Sequence, residues 1–494
     1  MEQYLSQSRI EDPIWLEPNE ISFLRMRISE EEALKDAKLV EIASLRNILA
    51  PVRRIPLEIL TEIFELVLGN RHLEKRPPML PLDFGRHYAF HWKKVVLGQE
   101  LILWVEDWII RSQMVPLDLY LDFYFEGYDE PRDVFTARGK QFLEYILTQF
   151  GHKVRSLNVT GHPSSFLPIL HLSPSFSLLS LEEISLTIFD NEDDTIEALV
   201  NLCPRKIGVF LGAPKLRQVE LNNASLLELL APPTAQLNSL KFSTDNGFED
   251  PAMFVGILLQ CKQLVNLEID LPSKFSTQLF VLLPRLRSLK IYCSRDSAGS
   301  ILRCVTTPVL EQLSLCYQTN QNWNSLLADV TAFQQRSSTA LSSLDLHISS
   351  WCSHEVEIIT EKVVGIFSLF PAIQSLEIDS SGMDLLLRAM TCNSIQGQHI
   401  LPNLKDLVLF GNYSRDQGYP SVSGLKSMIL SRWWPEGSDD GLASTRRGLS
   451  RLQKVTLRGF QIWDSAEGIA YISTLPGLVL DYWPVRSIVP YMDI

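Results

Sequence analysis

A short apolar pattern, L-x-x-L-x-L, recurs from about residue 150 towards the end of the chain and limits the folds that this part can adopt. Clear copies begin at Leu216, Leu237, Leu264, Leu286, Leu310, Leu341, Ile373, Leu404 and Leu452, and two weaker copies begin at Val154 and Leu181. Their starts are separated by 21 to 48 residues. Such repetition is typical of an array of small units, each of which buries its apolar face only against its neighbours.

Each copy predicts one short strand. Side chains alternate between the two faces of a strand, so the last two apolar positions point into a core and the residue between them points outward. Apolar stretches between copies, at Met253 to Leu259, Gln278 to Leu283 and Val363 to Phe370, are expected to be helices that cover this core. Residues 150–485 are therefore predicted to form an irregular α/β solenoid of the leucine-rich-repeat type.

The N-terminal part of the chain has a helical pattern instead. Ser29 and Glu32 form a capping box that predicts the start of a helix in the N-terminal segment 1–47, and Pro51 is expected to end this helix. Ile21, Leu24 and Ile28 suggest an earlier helical turn or two. A second helix is predicted to run from Pro56 to Gly69, since proline suits the first helical position and glycine the end. Its apolar residues form one broad stripe that a partner or a core must cover, and they are Ile59, Leu60, Ile63, Phe64 and Val67.

A dense aromatic and aliphatic segment follows a proline-rich loop. It extends from Tyr88 to Trp108, and its apolar residues are spaced as on a helix. Together with the preceding helix, it predicts a small all-helical module over residues 48–110.

The sequence from Pro51 to Phe64, PVRRIPLEILTEIF, resembles the first half of the F-box, whose hallmark is L-P-x-E-[IL]-L followed by I-F. The second half of that motif reads W-[RK]-x-[VI] followed by L-W, and Trp92-Lys93-Lys94-Val95 with Leu103-Trp104 is similar to it. A helix leading into P-[VI]-R-R-[IL]-P, followed by repeats, resembles the large F-box families of mushroom-forming fungi.

This resemblance implies a function. In that family the F-box binds the adaptor subunit of a cullin–RING (SCF-type) ubiquitin ligase, and the downstream repeats recruit a protein target for ubiquitylation. The partner-binding residues that it implies are Ile55, Pro56, Ile59, Leu60, Ile63, Phe64, Trp92, Val95 and Trp104. For the two tryptophans the alternative is a place in the core of the helical module, because tryptophan is mostly buried in folded proteins.

The net charge and the cysteine content indicate which class of partner and which cellular compartment to expect. The net charge of −13 disfavours a nucleic-acid partner, because an acidic surface repels the phosphate backbone. The seven cysteines are odd in number and none forms a C-x-x-C pair, which favours reduced thiols in the cytoplasm or nucleus. The sequence has no run of eighteen apolar residues and no apolar leader, so neither membrane insertion nor secretion is expected.

No catalytic pattern stands out, so we expect neither an enzyme nor a bound cofactor. His87 and His91 stand four residues apart, but Tyr88 replaces the glutamate of H-E-x-x-H and no third metal ligand is evident. Phosphate-binding glycine loops and the G-x-S-x-G nucleophile motif are absent from the sequence. The main alternative to a ligase adaptor is a non-catalytic leucine-rich-repeat scaffold whose degenerate F-box is uncoupled from any ligase. A hydrolase built on the repeats is disfavoured.

Tryptophans are concentrated near the C-terminal end, at Trp433, Trp434, Trp463 and Trp483. A repeat array needs a cap over its last apolar layer, which is the preferred interpretation of these residues. The alternative is a recognition patch.

Overall fold

The computed structural model describes residues 17–49, 89–92, 116–123, 132–172, 178–189, 195–202, 206–223, 226–243, 251–271, 279–293, 300–317, 323–348, 356–379, 383–392, 399–410, 422–434, 448–460 and 466–484. The chain divides into two units, residues 1–84 and residues 85–494.

The described part of the first unit is one long helix, α1 (Pro18–Leu49). Its first position is a proline, and the backbone amide of Glu17 donates a hydrogen bond to Oε2 of Glu20 over 3.1 Å. This bond satisfies an amide that the helix itself leaves without a partner. The helix thus includes Ser29 in its interior, and the predicted start at Ser29 is wrong. Its end at Leu49, two residues before Pro51, agrees with the prediction.

The second unit contains a sheet of 14 parallel strands whose order follows the chain. The strands are β1 (Ala89–Trp92), β2 (Leu117–Asp122), β3 (Val154–Gly161), β4 (Glu183–Ile188), β5 (Gln218–Leu221), β6 (Ser239–Phe242), β7 (Asn266–Leu271), β9 (Ser288–Cys293), β11 (Gln312–Tyr317), β12 (Ser343–Ile348), β13 (Ser375–Asp379), β14 (Asp406–Phe410), β15 (Lys454–Phe460) and β16 (Val479–Pro484). Outside this sheet, β8 (Val281–Leu282) pairs in parallel with β10 (Val305–Thr306).

Helices connect many of these strands. They are α2 (Arg132–Phe150), α3 (Leu167–Leu170), α4 (Ile196–Leu202), α5 (Leu226–Leu229), α6 (Pro251–Gln260), α7 (Ser300–Cys304), α8 (Trp323–Ser337), α9 (Val356–Leu369), α10 (Met383–Met390), α11 (Val422–Arg432) and α12 (Ala466–Ser473). Short 3-10 turns lie at Gly151–Lys153, Pro163–Phe166, Val209–Gly212 and Thr234–Gln236.

The strand register follows from the repeated apolar pattern. Leu313 of β11 pairs with Leu289 of β9 on one side and with Leu344 of β12 on the other, and all three side chains are buried. Helical residues such as Phe254 and Phe367 belong to the same core. One face of the sheet is therefore packed against helices. The other face carries the alternate, outward-pointing side chains of β2 to β16, and we name it the open face.

This α/β architecture confirms the strands predicted from the repeated pattern. The helices expected at Met253 to Leu259 and over most of Val363 to Phe370 are confirmed as α6 and α9. The helix expected at Gln278 to Leu283 is wrong, because β8 occupies Val281–Leu282 and its backbone pairs with β10. A short apolar run does not distinguish a strand from a helix by its periodicity.

The sheet begins well before residue 150. The strand β1 pairs with β2 from Ala89 opposite Asp118 to Trp92 opposite Leu121. The helical prediction for the segment after Tyr88 is therefore wrong at Ala89–Trp92, and a module of helices alone over 48–110 does not account for this strand. The buried leucines of β2 anchor that strand in the core, so the backbone of β2 is available to pair with a neighbouring strand. Aromatic residues, which β1 contains, are common in strands.

The C-terminal tryptophans differ in their surroundings. Trp433 is half-buried against the core, and its Nε1 donates a hydrogen bond to the carbonyl oxygen of Pro476 over 3.2 Å. Trp483 is 63% exposed on β16. The position of Trp433 fits the expected cap, whereas that of Trp483 does not. Trp463 lies outside the described residues.

Candidate binding face

The open face presents side chains in regular rows, because neighbouring strands are in register. In each strand, the residue between the two apolar positions that face the core belongs to a row that we name the middle ladder. Its members are Tyr120, Asn158, Ser185, Glu220, Lys241, Glu268, Lys290, Ser314, Asp345, Glu377, Val408, Thr456 and Asp481. A second outward row lies two residues earlier in each strand.

A groove of about 330 Å³ lies on the open face across β2 to β9. Both outward rows line it. The middle ladder contributes charged residues, and the earlier row contributes mainly short neutral ones, including Ser156, Gln218, Ser239, Asn266 and Ser288. Because these side chains are short, the earlier row leaves room above the sheet. The longer charged side chains of the middle ladder border that room, which is the groove.

Three of the five charged residues that line this groove form ion pairs with one another. Nζ of Lys241 lies 2.8 Å from Glu220 and 3.5 Å from Glu268, on the two neighbouring strands. Burial by itself lowers the pKa of Lys241, but the hydrogen bond and charge of Glu220, reinforced by Glu268, outweigh it and the pKa is raised. Lys241 is therefore a protonated, locally neutralised group.

The last cation of the groove is associated with an aromatic ring. Nζ of Lys290 lies 4.9 Å from the ring centroid of Tyr292, two residues along the same strand. Burial raises the pKa of the Tyr292 hydroxyl, which keeps the ring neutral at physiological pH. A cation held over an aromatic face is attracted by the electrons of the ring.

A cluster of carboxylates follows further along the open face. Asp345 and Glu377 are neighbours in the middle ladder, and Oε1 of Glu377 lies 3.5 Å from Nε2 of His347. Burial and, to a smaller extent, the charge of the adjacent Glu377 raise the pKa of Asp345 to about 6, although His347 and Lys290 oppose this effect. The carboxylate of Asp345 forms no hydrogen bond or ion pair with any residue that the structure describes.

Aromatic and cationic groups border this cluster. The ring of His347 lies 5.7 Å from that of Phe410, and Cζ of Arg458 lies 5.3 Å from the centroid of the Phe410 ring. The open face thus changes along the sheet from a polar groove, in which lysines and glutamates both occur, to a half-buried acidic pair beside an aromatic ring.

Cys316 lies opposite His347 in the strand register, which is an arrangement that could activate a thiol. Burial instead raises the pKa of Cys316 to about 11. The thiol therefore stays protonated at physiological pH, and it is a poor nucleophile. Among the described residues, no group of three or more histidine, cysteine or acidic side chains could hold a metal ion.

Most of the residues implied by the F-box resemblance lie outside the described residues. These are Ile55, Pro56, Ile59, Leu60, Ile63, Phe64, Val95 and Trp104. Trp92 is the last residue of β1. His87 of the histidine pair also lies outside, and His91 is part of β1.

Sequence reasoning missed the residues of the open face. Their signal was nevertheless present, because each middle-ladder residue is the central x of an L-x-L triplet, as Asp345 is between Leu344 and Leu346. What the sequence lacks is the pairing register, which brings Lys241 beside Glu220 and Glu268 from 21 and 27 residues away.

No helix in the described part of the chain is long and apolar enough to cross a membrane. No protein-family model matches the sequence. The curated proteins likewise provide no match.

Proposed function

We propose that this protein is the substrate-recognition adaptor of an SCF-type ubiquitin ligase. In this proposal the F-box segment binds the adaptor subunit of the ligase. The parallel strands form a leucine-rich-repeat-like solenoid whose open face holds a protein target. The ubiquitin chemistry is done by other subunits, so the chain itself is not an enzyme.

The observation that carries the proposal is the combination of two features in one chain. The segment from Ile55 to Phe64 resembles the F-box hallmark, and its sequence predicts a helix with a broad apolar stripe, which is how a helical module docks into a groove. It is followed by 14 strands in chain order, whose outward face is polar and is not packed against the described helices. A docking segment joined to a large polar face suits a protein that brings two others together.

The strand β1 restricts where docking is assigned. Trp92, the first residue of the second half of the motif, ends a strand of the sheet. We therefore assign docking chiefly to Ile59, Ile63 and Phe64 of the first half. The same strand favours a second candidate, a scaffold of repeats whose degenerate F-box is uncoupled from any ligase.

Binding of the full-length chain to the purified ligase adaptor subunit, measured by calorimetry, distinguishes the two candidates. We expect a Kd in the micromolar range or tighter, which corresponds to a binding free energy of about −8 kcal/mol or more favourable. Binding should be lost when Ile63→Asp and Phe64→Asp are combined. The matched control combines Phe280→Asp and Leu282→Asp, which are 68% and 50% exposed in the second unit. No binding by the folded wild-type chain would leave the uncoupled scaffold as the better account.

A further inference from the structure

The neutral side chains of the groove have unused hydrogen-bonding capacity. The side chains of seven lining residues form no hydrogen bond with any residue that the structure describes, and they belong to Ser156, Asn158, Ser185, Gln218, Ser239, Asn266 and Ser288. Serine, asparagine and glutamine each offer both donors and acceptors. One groove therefore presents many convergent polar groups that are available to a ligand.

The charges of the groove indicate that its ligand is neutral there. Lys241 is neutralised by Glu220 and Glu268, and Lys290 lies against the ring of Tyr292. A phosphate or a carboxylate that approached Lys241 in the groove would also meet Glu220 and Glu268, which would repel it. The main chain of a peptide carries alternating donors and acceptors without net charge, which matches the unused groups.

The dimensions of the groove set the length of the segment. From β3 to β9 the groove crosses six sheet strands. With about 4.8 Å between neighbouring strands, it spans roughly 24 Å. An extended peptide rises about 3.4 Å per residue, so about seven residues fill this span.

Beyond the groove, the middle ladder leads to the acidic pair. From Lys290 the ladder passes Ser314 and reaches Asp345, two strands or roughly 10 Å further, which corresponds to about three peptide residues. Asp345 is half-buried without an ion-pair partner among the described residues, and Glu377 stands next to it. Two adjacent carboxylates attract a lysine or arginine side chain.

We infer that the open face binds an extended segment of about ten residues, of which about seven bind through their main chain across β3 to β9 and one beyond them places a basic side chain at Asp345 and Glu377. This inference deepens the proposed function, because it names what the recruited protein presents. A neutral oligosaccharide is the competing ligand, but Tyr120 is the only aromatic residue among those that line the groove.

The probe is a phage-displayed library of linear twelve-residue peptides, selected on the full-length chain, with a glycan array in parallel. We expect the enriched peptides to carry lysine or arginine towards one end. Combining Ser239→Tyr and Asn266→Tyr fills the groove with residues that strands tolerate well, and it should weaken binding of these peptides at least tenfold. Combining Asp406→Tyr and Lys454→Tyr, in the same row beyond the acidic pair, should change binding less than twofold.

The acidic pair is tested separately. Combining Asp345→Asn and Glu377→Gln should abolish the difference in affinity between a selected peptide and its version with glutamine in place of the basic residue. No enrichment of linear peptides, binding of glycans alone, or equal loss in both tyrosine pairs would overturn the inference. Adaptor-subunit binding is measured independently, so peptide recognition without ligase binding refutes only the proposed function, and the reverse result refutes only this inference.

Discussion

Replacing Asp345 by asparagine should make the folded chain more stable at neutral pH. The Asp345 carboxylate is half-buried, lies beside Glu377 and has no ion-pair partner among the described residues. Its pKa is raised from 3.8 to about 6. A carboxyl group whose pKa is higher in the folded state is protonated more readily there, so its ionised form opposes folding.

The size of the effect follows from the pKa shift. One pKa unit corresponds to about 1.4 kcal/mol, so a shift of roughly two units sets an upper bound near 3 kcal/mol. The side chain is partly exposed, and solvent screening reduces the difference to about 1 kcal/mol. The destabilisation is complete above pH 6, and it is lost as the pH falls through 6 towards 3.8.

Urea unfolding of the full-length chain, followed by circular dichroism at pH 7.5 and at pH 4.5, measures this difference. Asp345→Asn should raise the unfolding free energy by about 1 kcal/mol at pH 7.5, and by much less at pH 4.5. Asp406→Asn, the same change in an outward row two strands away, is the control and should stay within about 0.5 kcal/mol of wild type. A variant that is less stable at pH 7.5, or equally stabilised at both pH values, would refute the reasoning.

Two further predictions concern buried groups. Arg432 is 1% exposed and donates hydrogen bonds to the carbonyl oxygens of Met390, Leu401 and Ile400. Arg432→Met removes these donors and should lower the unfolding free energy, measured in urea titrations, by about 3 kcal/mol. A loss below about 1 kcal/mol would show that these carbonyls find other donors. The pKa of the Cys316 thiol is raised to about 11, two units above its ordinary value, so the folded chain holds about a hundredfold less of the reactive thiolate. Iodoacetamide at pH 8 should therefore label Cys316 about a hundredfold more slowly in the folded chain than in urea. Mass spectrometry of the labelled peptides tests this, and equal rates in both states would contradict it.

The strand repeats were predictable because the same pattern, in which every second residue of a strand is apolar and buried, occurs many times in the sequence. Leu344 and Leu346 flank Asp345 as Leu376 and Ile378 flank Glu377, and each triplet forms a strand with its apolar residues buried. Ser29 misled the prediction, since a local capping signal is also tolerated inside a helix that begins at Pro18. Local sequence does not show which of two competing starts is used.

The candidate site was much less predictable. Strand β1 depends on pairing with Leu117–Asp122, which the local spacing of the aromatic residues does not show. The groove depends on the register between strands, and only that register brings Ser239 beside Asn266. The sequence did indicate the outward positions. It could not indicate which of them lie together, because their neighbours are 20 or more residues away.

We propose that one chain carries two separable binding surfaces. Affinity capture with quantitative mass spectrometry tests for both surfaces at once, using the wild-type chain, the Ile63→Asp and Phe64→Asp double variant, and the Ser239→Tyr and Asn266→Tyr double variant. We expect the first double variant to lose the ligase adaptor and cullin subunits while it retains a protein that the second one loses. Absence of ligase subunits from the wild-type capture, or loss of the same proteins by both variants, would contradict the claim.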